Sequence, residues 1–370
     1  MKIIFSTDQI YLHGGLEKVM AQKANYFADV LNYEVFILTT EQKNQPACYE
    51  LSSKVKLIDI AINYNREKSY FDLLNIKKII LHYKNWRKII KTINPNVVIV
   101  CNHAFDFYWV PFFNSKYKSI KEYHSSKYFI NQTKSKSSFI IKLKNWINNY
   151  IETKYNKIVI LNKDEKHFYK SKNTVVINNP IEINNLNSSL KNKKAIAAGR
   201  IAPVKGFENL IKTWAIVIEK EPSWQIDIYG QGDLNYIQSL QILINQANLQ
   251  NHIFFKSATD DLISIMTNYS MYVMTSHTEC FPMVLLESLS VGLPVVTFDC
   301  PTGPKNIITN NEDGFIVENQ NIKKMAEKIC YLIQNDSIRI DFGQKAKENS
   351  NKFNLEIIMK KWVELLENDF

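Results

Sequence analysis

The chain has 370 residues, enough for two domains each with its own core, and its 45% hydrophobic content and mean hydropathy of −0.23 describe a soluble globular protein. No apolar run is long enough to cross a bilayer, and MKIIFSTD is a short strand broken by a polar residue before a signal-peptide core can form, so a cytoplasmic protein is expected. Five cysteines (48, 101, 280, 300, 330) lack paired spacing, which argues against a disulfide framework and a zinc site.

Apolar runs at Lys2–Ser6, Glu34–Leu38, Val55–Ile60, Val97–Cys101, Ile120–Tyr123 and Lys157–Leu161 alternate with helical patterns at Leu16–Leu31, Phe71–Ile93 and Phe139–Tyr155. Such alternation predicts an α/β fold: an open, mostly parallel sheet with helices on both faces and ligands at the carboxyl ends of its strands. After the first strand, Gly14 and Gly15 open a helix, where either a phosphate approaching backbone amides or a plain turn wants glycine. His103 follows the fourth strand and His124 the fifth, each a structural hydrogen-bonder or a catalyst.

The formal charge of +10 is concentrated. Residues 115–146 hold eight lysines and one glutamate, a net of +7, interleaved with aromatic and apolar side chains such as Tyr117, Tyr123, Phe139, Leu143 and Trp146. Either an interface for anionic lipid or a phosphorylated acceptor, or a merely solvated lysine face, fits that mixture. Nucleic acid is not expected, because no helix-turn-helix, RNP or zinc pattern accompanies the charge.

Near Ile177–Ile183 (INNPIEI) the chain changes sheets, and an Asn-, Ser- and Lys-rich linker runs to Lys194. Domains are therefore expected at 1–177 and 178–350, with a closing helix at 351–370 whose apolar face includes Trp362 and Leu366. In the second half, Arg200 and Lys205 stand between a strand at Lys194–Ala198 and a helix at Phe207–Glu219, placed to converge on one diphosphate. Further strands are expected at Trp224–Tyr229, His252–Phe255, Met271–Met274 and Pro294–Phe298. Gly230-Gln231-Gly232 looks like part of a dinucleotide loop but lacks the third glycine.

The stretch Thr275–Gly292 (TSHTECFPMVLLESLSVG) reads as a loop entering a helix with Pro282 at its first position and Gly292 closing it. Glu279 lies in the loop and Glu287 about a turn and a half into the helix. Between them, the free amides of Phe281, Met283 and Val284 offer an anion site. Two carboxylates flanking such amides suit a nucleotide-sugar, although a surface ion-pairing role fits the spacing alone.

The Glu-x7-Glu spacing, with Gly199-Arg200 and Lys205-Gly206 ahead of it, resembles the retaining family 4 glycosyltransferases. The resemblance implies the GT-B fold, two Rossmann-like domains facing across a cleft with a last helix crossing back to the first. It further implies that Glu279 holds a sugar hydroxyl, Glu287 the ribose, and Arg200 and Lys205 the diphosphate, with the amides around Phe281, Pro282, Met283 and Val284 on sugar and phosphates. Gly14 and Gly15 would face donor diphosphate and acceptor. His124 matches the family's loop histidine beside the reacting sugar, and His103 a more variable motif on the acceptor side. The segment Asp299–Ile308 resembles enzymes moving galactose- or N-acetylgalactosamine-type sugars in bacterial capsule, O-antigen or glycan assembly.

The implied activity is transfer of a hexose or N-acetylhexosamine from a UDP-sugar co-substrate, with no other cofactor. The acceptor would be a glycan, lipid-diphosphate-linked, met at the anionic inner face of the cell membrane. No Asp-x-Asp motif appears, so metal independence is expected, with two cations in place of a metal's charge. A nucleotide-sugar epimerase, a sugar phosphorylase and a non-catalytic binding module remain the alternatives.

Overall fold

The computed structural model describes residues 1–65, 68, 72–102, 104–113, 117–128 and 139–367. His103 and residues 115–116 and 129–138 of the basic stretch lie outside the described residues. The chain folds as two compact units, Met1–Ile177 with Met359–Phe370, and Asn178–Ile358.

The first unit is built on seven parallel strands: β1 (Lys2–Thr7), β2 (Glu34–Thr39), β3 (Val55–Asp59), β4 (Val97–Val100), β5 (Lys118–Glu122), β6 (Lys157–Ile160) and β7 (Thr174–Val176). They lie in the order β3-β2-β1-β4-β5-β6-β7. The central strands are unbroken apolar runs, such as the fully buried VVIV of β4, because helices cover both faces. On one face α1 (Gly15–Asp29) stacks Phe27 on Phe5, ring centroids 6.2 Å apart. On the other, α2 (Leu73–Ile93) and α3 (Phe139–Glu152) bring Trp86, Ile93 and Ile151 into one core with Ile4, Val98, Val100, Ile158 and Ile160. Asp72 starts α2 by accepting the Leu74 N–H at 3.0 Å, and left-handed Asn94 ahead of Pro95 ends it.

The second unit has six parallel strands: β8 (Lys194–Ala198), β9 (Gln225–Tyr229), β10 (Ile253–Lys256), β11 (Met271–Met274), β12 (Val295–Phe298) and β13 (Gly314–Val317). Their order is β10-β9-β8-β11-β12-β13. Its longer helices are α4 (Phe207–Lys220), α5 (Leu234–Gln246), α6 (Met283–Ser290), α7 (Ile322–Gln334) and α8 (Asp336–Ser350), joined by a short helical turn at Leu262–Met266, with fully buried Trp214 in its main core. The last helix, α9 (Leu355–Glu367), passes from the second unit to the first at Met359, later than residue 351.

Strands β7 and β13 and helix α5 were not among the expected elements. β7 has only three residues, and β13 begins at Gly314, directly after Asp313, a pair that reads as a turn. In both units the strand order reverses beside the first strand, between β1 and β4 and between β8 and β11. Open parallel sheets bind ligands at such points.

Candidate active site

At the carboxyl ends of β8 and β11, two loops of the second unit are tied together. The His277 N–H donates to the Val204 carbonyl at 2.8 Å, and the Thr275 hydroxyl to that of Lys205 at 3.3 Å. Gly206 is obligatory here: its φ is +62°, and a Cβ would sit 2.3 Å from the Thr275 carbonyl oxygen. This seam brings the Lys205 ammonium to 2.6 Å from Glu279 Oε1, which also accepts the Ser276 hydroxyl at 2.7 Å. A third loop fixes the Glu279 backbone, the Thr302 hydroxyl donating to its carbonyl at 2.8 Å. Gly303 lies so close that a Cβ would be 2.6 Å from that of Glu279; its φ of −89° is ordinary, so contact and not an unusual angle selects glycine.

The other expected residues fall around this pair. Arg200 is exposed and has no ion-pair partner among the described residues, leaving its guanidinium open to an anion. Pro282 is the N-cap of α6 and not its first helical residue; its ψ of 116° is extended, and the helix begins at Met283. No acceptor among the described residues takes the N–H groups of Phe281, Met283 or Val284. These amides carry the positive end of the helix dipole beside a lysine and an arginine, and the environment favours anions. Glu287 is buried in the middle of α6.

Gly230 and Gly232 serve packing. A Cβ at either would lie 2.0 Å from a backbone oxygen, of Gly199 and Ile201 respectively, and the Ile201 N–H donates to the Gln231 carbonyl at 2.7 Å. The GxG turn thus backs the Arg200 loop.

In the first unit, at the carboxyl end of β5 beside α1, His124 sits in a buried charge cluster. The Lys23 ammonium bonds both carboxylate oxygens of Glu122, and His124 Nε2 lies 3.2 Å from Glu122 Oε1. Lys23 also faces the rings of Phe5 and Trp362, at 5.5 and 4.4 Å. Burial alone would raise the Glu122 carboxyl, but the charges of Lys23 and His124 outweigh it and hold it well below the usual range. Burial pushes the His124 imidazole down, against the pull of Glu122. Cys101, Glu122 and His124 have metal-ligand atoms within 4.8 Å of one another, yet Lys23 already occupies Glu122 as its cation.

Gly14 caps α1 with φ −166°, extended backbone open to any residue, and Gly15 is the first helical residue. Glycine at position 14 is therefore not required by conformation. Sequence reasoning missed the Lys23–Glu122 pair and the Ser276 and Thr302 supports. Lys23 had a signal: it interrupts the apolar stripe of Val19, Met20, Ala24 and Phe27.

Residues 178–349 match the family described as glycosyl transferases group 1. That segment holds the whole Arg200, Lys205, Glu279 and Glu287 constellation. The chain is also 27% identical over 374 residues, 99% of each protein, to an uncharacterized glycosyltransferase of Haemophilus influenzae. It is 28% identical over 288 residues to a poly(ribitol-phosphate) α-N-acetylglucosaminyltransferase of Staphylococcus aureus, covering 75% of this chain and 56% of the relative, so it spans about half that protein's length. Among solved structures, a mutant of S. aureus TarM in complex with fondaparinux, α-GlcNAc-glycerol and UDP aligns over 99% of this chain and 100% of its own, with TM-score 0.81 and 18% identity. The fold is that of GT-B glycosyltransferases, with two parallel-sheet, Rossmann-like units.

Proposed function

We propose that the chain is a glycosyltransferase that moves a sugar from a nucleoside diphosphate to a glycan acceptor in bacterial surface-polymer synthesis. The observation that carries this reading is the Lys205–Glu279 pair at the switch point of the second unit, with exposed Arg200 and the open amides of α6 around it. The group 1 match and the relatives' names support it.

In this reading the second unit binds the donor and residues 1–177 the acceptor. Arg200 and Lys205 meet the diphosphate and stabilise charge on the leaving group as the glycosidic bond breaks. Glu279 takes sugar hydroxyls, Glu287 the ribose, and His124 stands beside the reacting sugar. UDP is the proposed carrier, supported by its presence in the TarM complex, and galactose- or N-acetylgalactosamine-type sugars are the first donors to test. Retention of configuration, by same-face attack with the leaving phosphate oxygen accepting the acceptor's proton, comes from the family resemblance. Lys205 and exposed Arg200, two cations beside the open amides, support the reading of metal independence. A lipid-diphosphate-linked acceptor at the inner membrane face completes the proposal, and no described helix is long and apolar enough to cross a membrane.

The test is UDP release from a panel of UDP-sugars, with and without a membrane lipid extract and with and without EDTA. Release that needs one donor and the extract, and that EDTA leaves unchanged, is expected. Interconversion of UDP-sugars without acceptor would replace the reading with an epimerase.

A further inference from the structure

Helix α3 is amphipathic the wrong way round. Phe139, Leu143, Trp146 and Tyr150, spaced i, i+4, i+7 and i+11, form one stripe with exposures of 79, 44, 65 and 48%. The opposite side carries Asn145, Asn148 and Glu152, which are buried or half-buried, and Asn148 accepts the Tyr108 hydroxyl at 3.1 Å. An apolar stripe turned from its own core costs solubility unless something covers it.

Helix α2 carries a second outward stripe. Its inner side packs His82, Trp86 and Ile93, while Leu73, Ile76 and Ile80 point outward with exposures of 75, 41 and 64%. Along the same outward stripe Lys84, Arg87 and Lys91 follow, and the helix has no acidic residue. Both helices cover one face of the β1–β7 sheet and share its core, so their outward stripes face away from the same side. Twelve of the 23 exposed large apolar side chains among the described residues belong to these two helices. Lys142 and Lys144 are exposed, while the one carboxylate of α3, Glu152, is buried against Lys127 and Tyr123.

This arrangement moves the basic interface expected at 115–146. Lys121 is fully buried, donating to the carbonyls of Val100, Asn102 and Glu122, and Lys127 is buried over the ring of Tyr169. Tyr117 and Tyr123 belong to the core. A count of charges places these lysines at an interface or a solvated face because it cannot see their burial.

We propose that the outward faces of α2 and α3 together dock on an anionic bilayer surface. Apolar and aromatic side chains enter the headgroup boundary while the cations meet lipid phosphates. A second copy of the chain would set cation against cation across the contact. Duplex nucleic acid would take the cations and leave both apolar stripes in water. The surface rests on the inner-membrane part of the proposed function and deepens it; because it shares no residue with the donor site, its failure leaves the transfer reaction itself standing.

Co-sedimentation of the full chain with phosphatidylcholine vesicles containing about one-third phosphatidylglycerol tests it. Binding is expected, weaker by about tenfold or more on pure phosphatidylcholine and for the exposed-site variants L143E/W146E and K84E/K91E. Unchanged thermal unfolding of the variants shows that they fold. Failure of the wild type to bind, equal binding by L143E/W146E, or a wild-type dimer that this variant dissolves would overturn the proposal.

Discussion

The two units repeat one strand order but hold a lysine–glutamate pair near the carboxyl ends of their strands in different ways. In the first, Lys23 closes on Glu122 in a site only 1–2% exposed, so the protein supplies both charges and shuts out water. In the second, the Lys205–Glu279 pair keeps 22 and 12% of its side chains exposed beside open amides and solvent-facing Arg200. Both lysines are paired, but solvent reaches the second pair and not the first, and that leaves the second as the candidate anion site.

The same amide-for-acid change in each place sharpens that contrast. E122Q strands the Lys23 charge in the core, and chemical denaturation at pH 7 should show a loss of about 3–5 kcal/mol. E279Q, in a pair that solvent still reaches, should cost less stability than E122Q while sharply reducing donor turnover. Equal losses would break the comparison. Next in size, R200A or K205A should lower UDP release about a hundredfold or more, with the unfolding curve little changed. Turnover within about threefold of wild type would remove the diphosphate role.

A further effect concerns pH. Burial pushes the Asp106 carboxyl up to about 6 from 3.8, with the Ser6 hydrogen bond working against it. An acid held above its unfolded value binds its proton more tightly when folded. Its contribution is full below the unfolded value and is lost as pH rises through about 6. D106N should therefore flatten the decline in stability between about pH 4 and 6, read by denaturation across that range. Asp313 in the second unit is shifted the same way and should keep its own share of the decline.

The alternation of strands and helices was legible because strands buried on both faces must be continuous apolar runs, as in β4 and β11. Arg200, Lys205 and Glu279 could be picked out because each follows a strand end, where loop chemistry is not masked by core packing, and the structure pairs Lys205 with Glu279; their donor role belongs to the proposal. Other features depended on contacts between distant segments. Glycines 230, 232 and 303 answer to backbone or side chains far away in sequence, and nothing local separates them from turn glycines. Lys121 and Lys127 look like neighbouring solvated lysines until β5 and the following loop are placed in the core. The outward stripe of α3 was seen as apolar and aromatic, but periodicity alone would turn such a stripe inward.

Trp362 has a consequence for the order in which the molecule is made. It is almost fully buried in the first unit and covers Lys23, yet it is synthesised after the whole of Asn178–Ile358. The second unit is in effect an insertion within the first. A nascent chain that has emerged as far as residue 177 therefore has an open flank beside its buried ion pair, and the surroundings of His124 are completed among the last steps of biosynthesis.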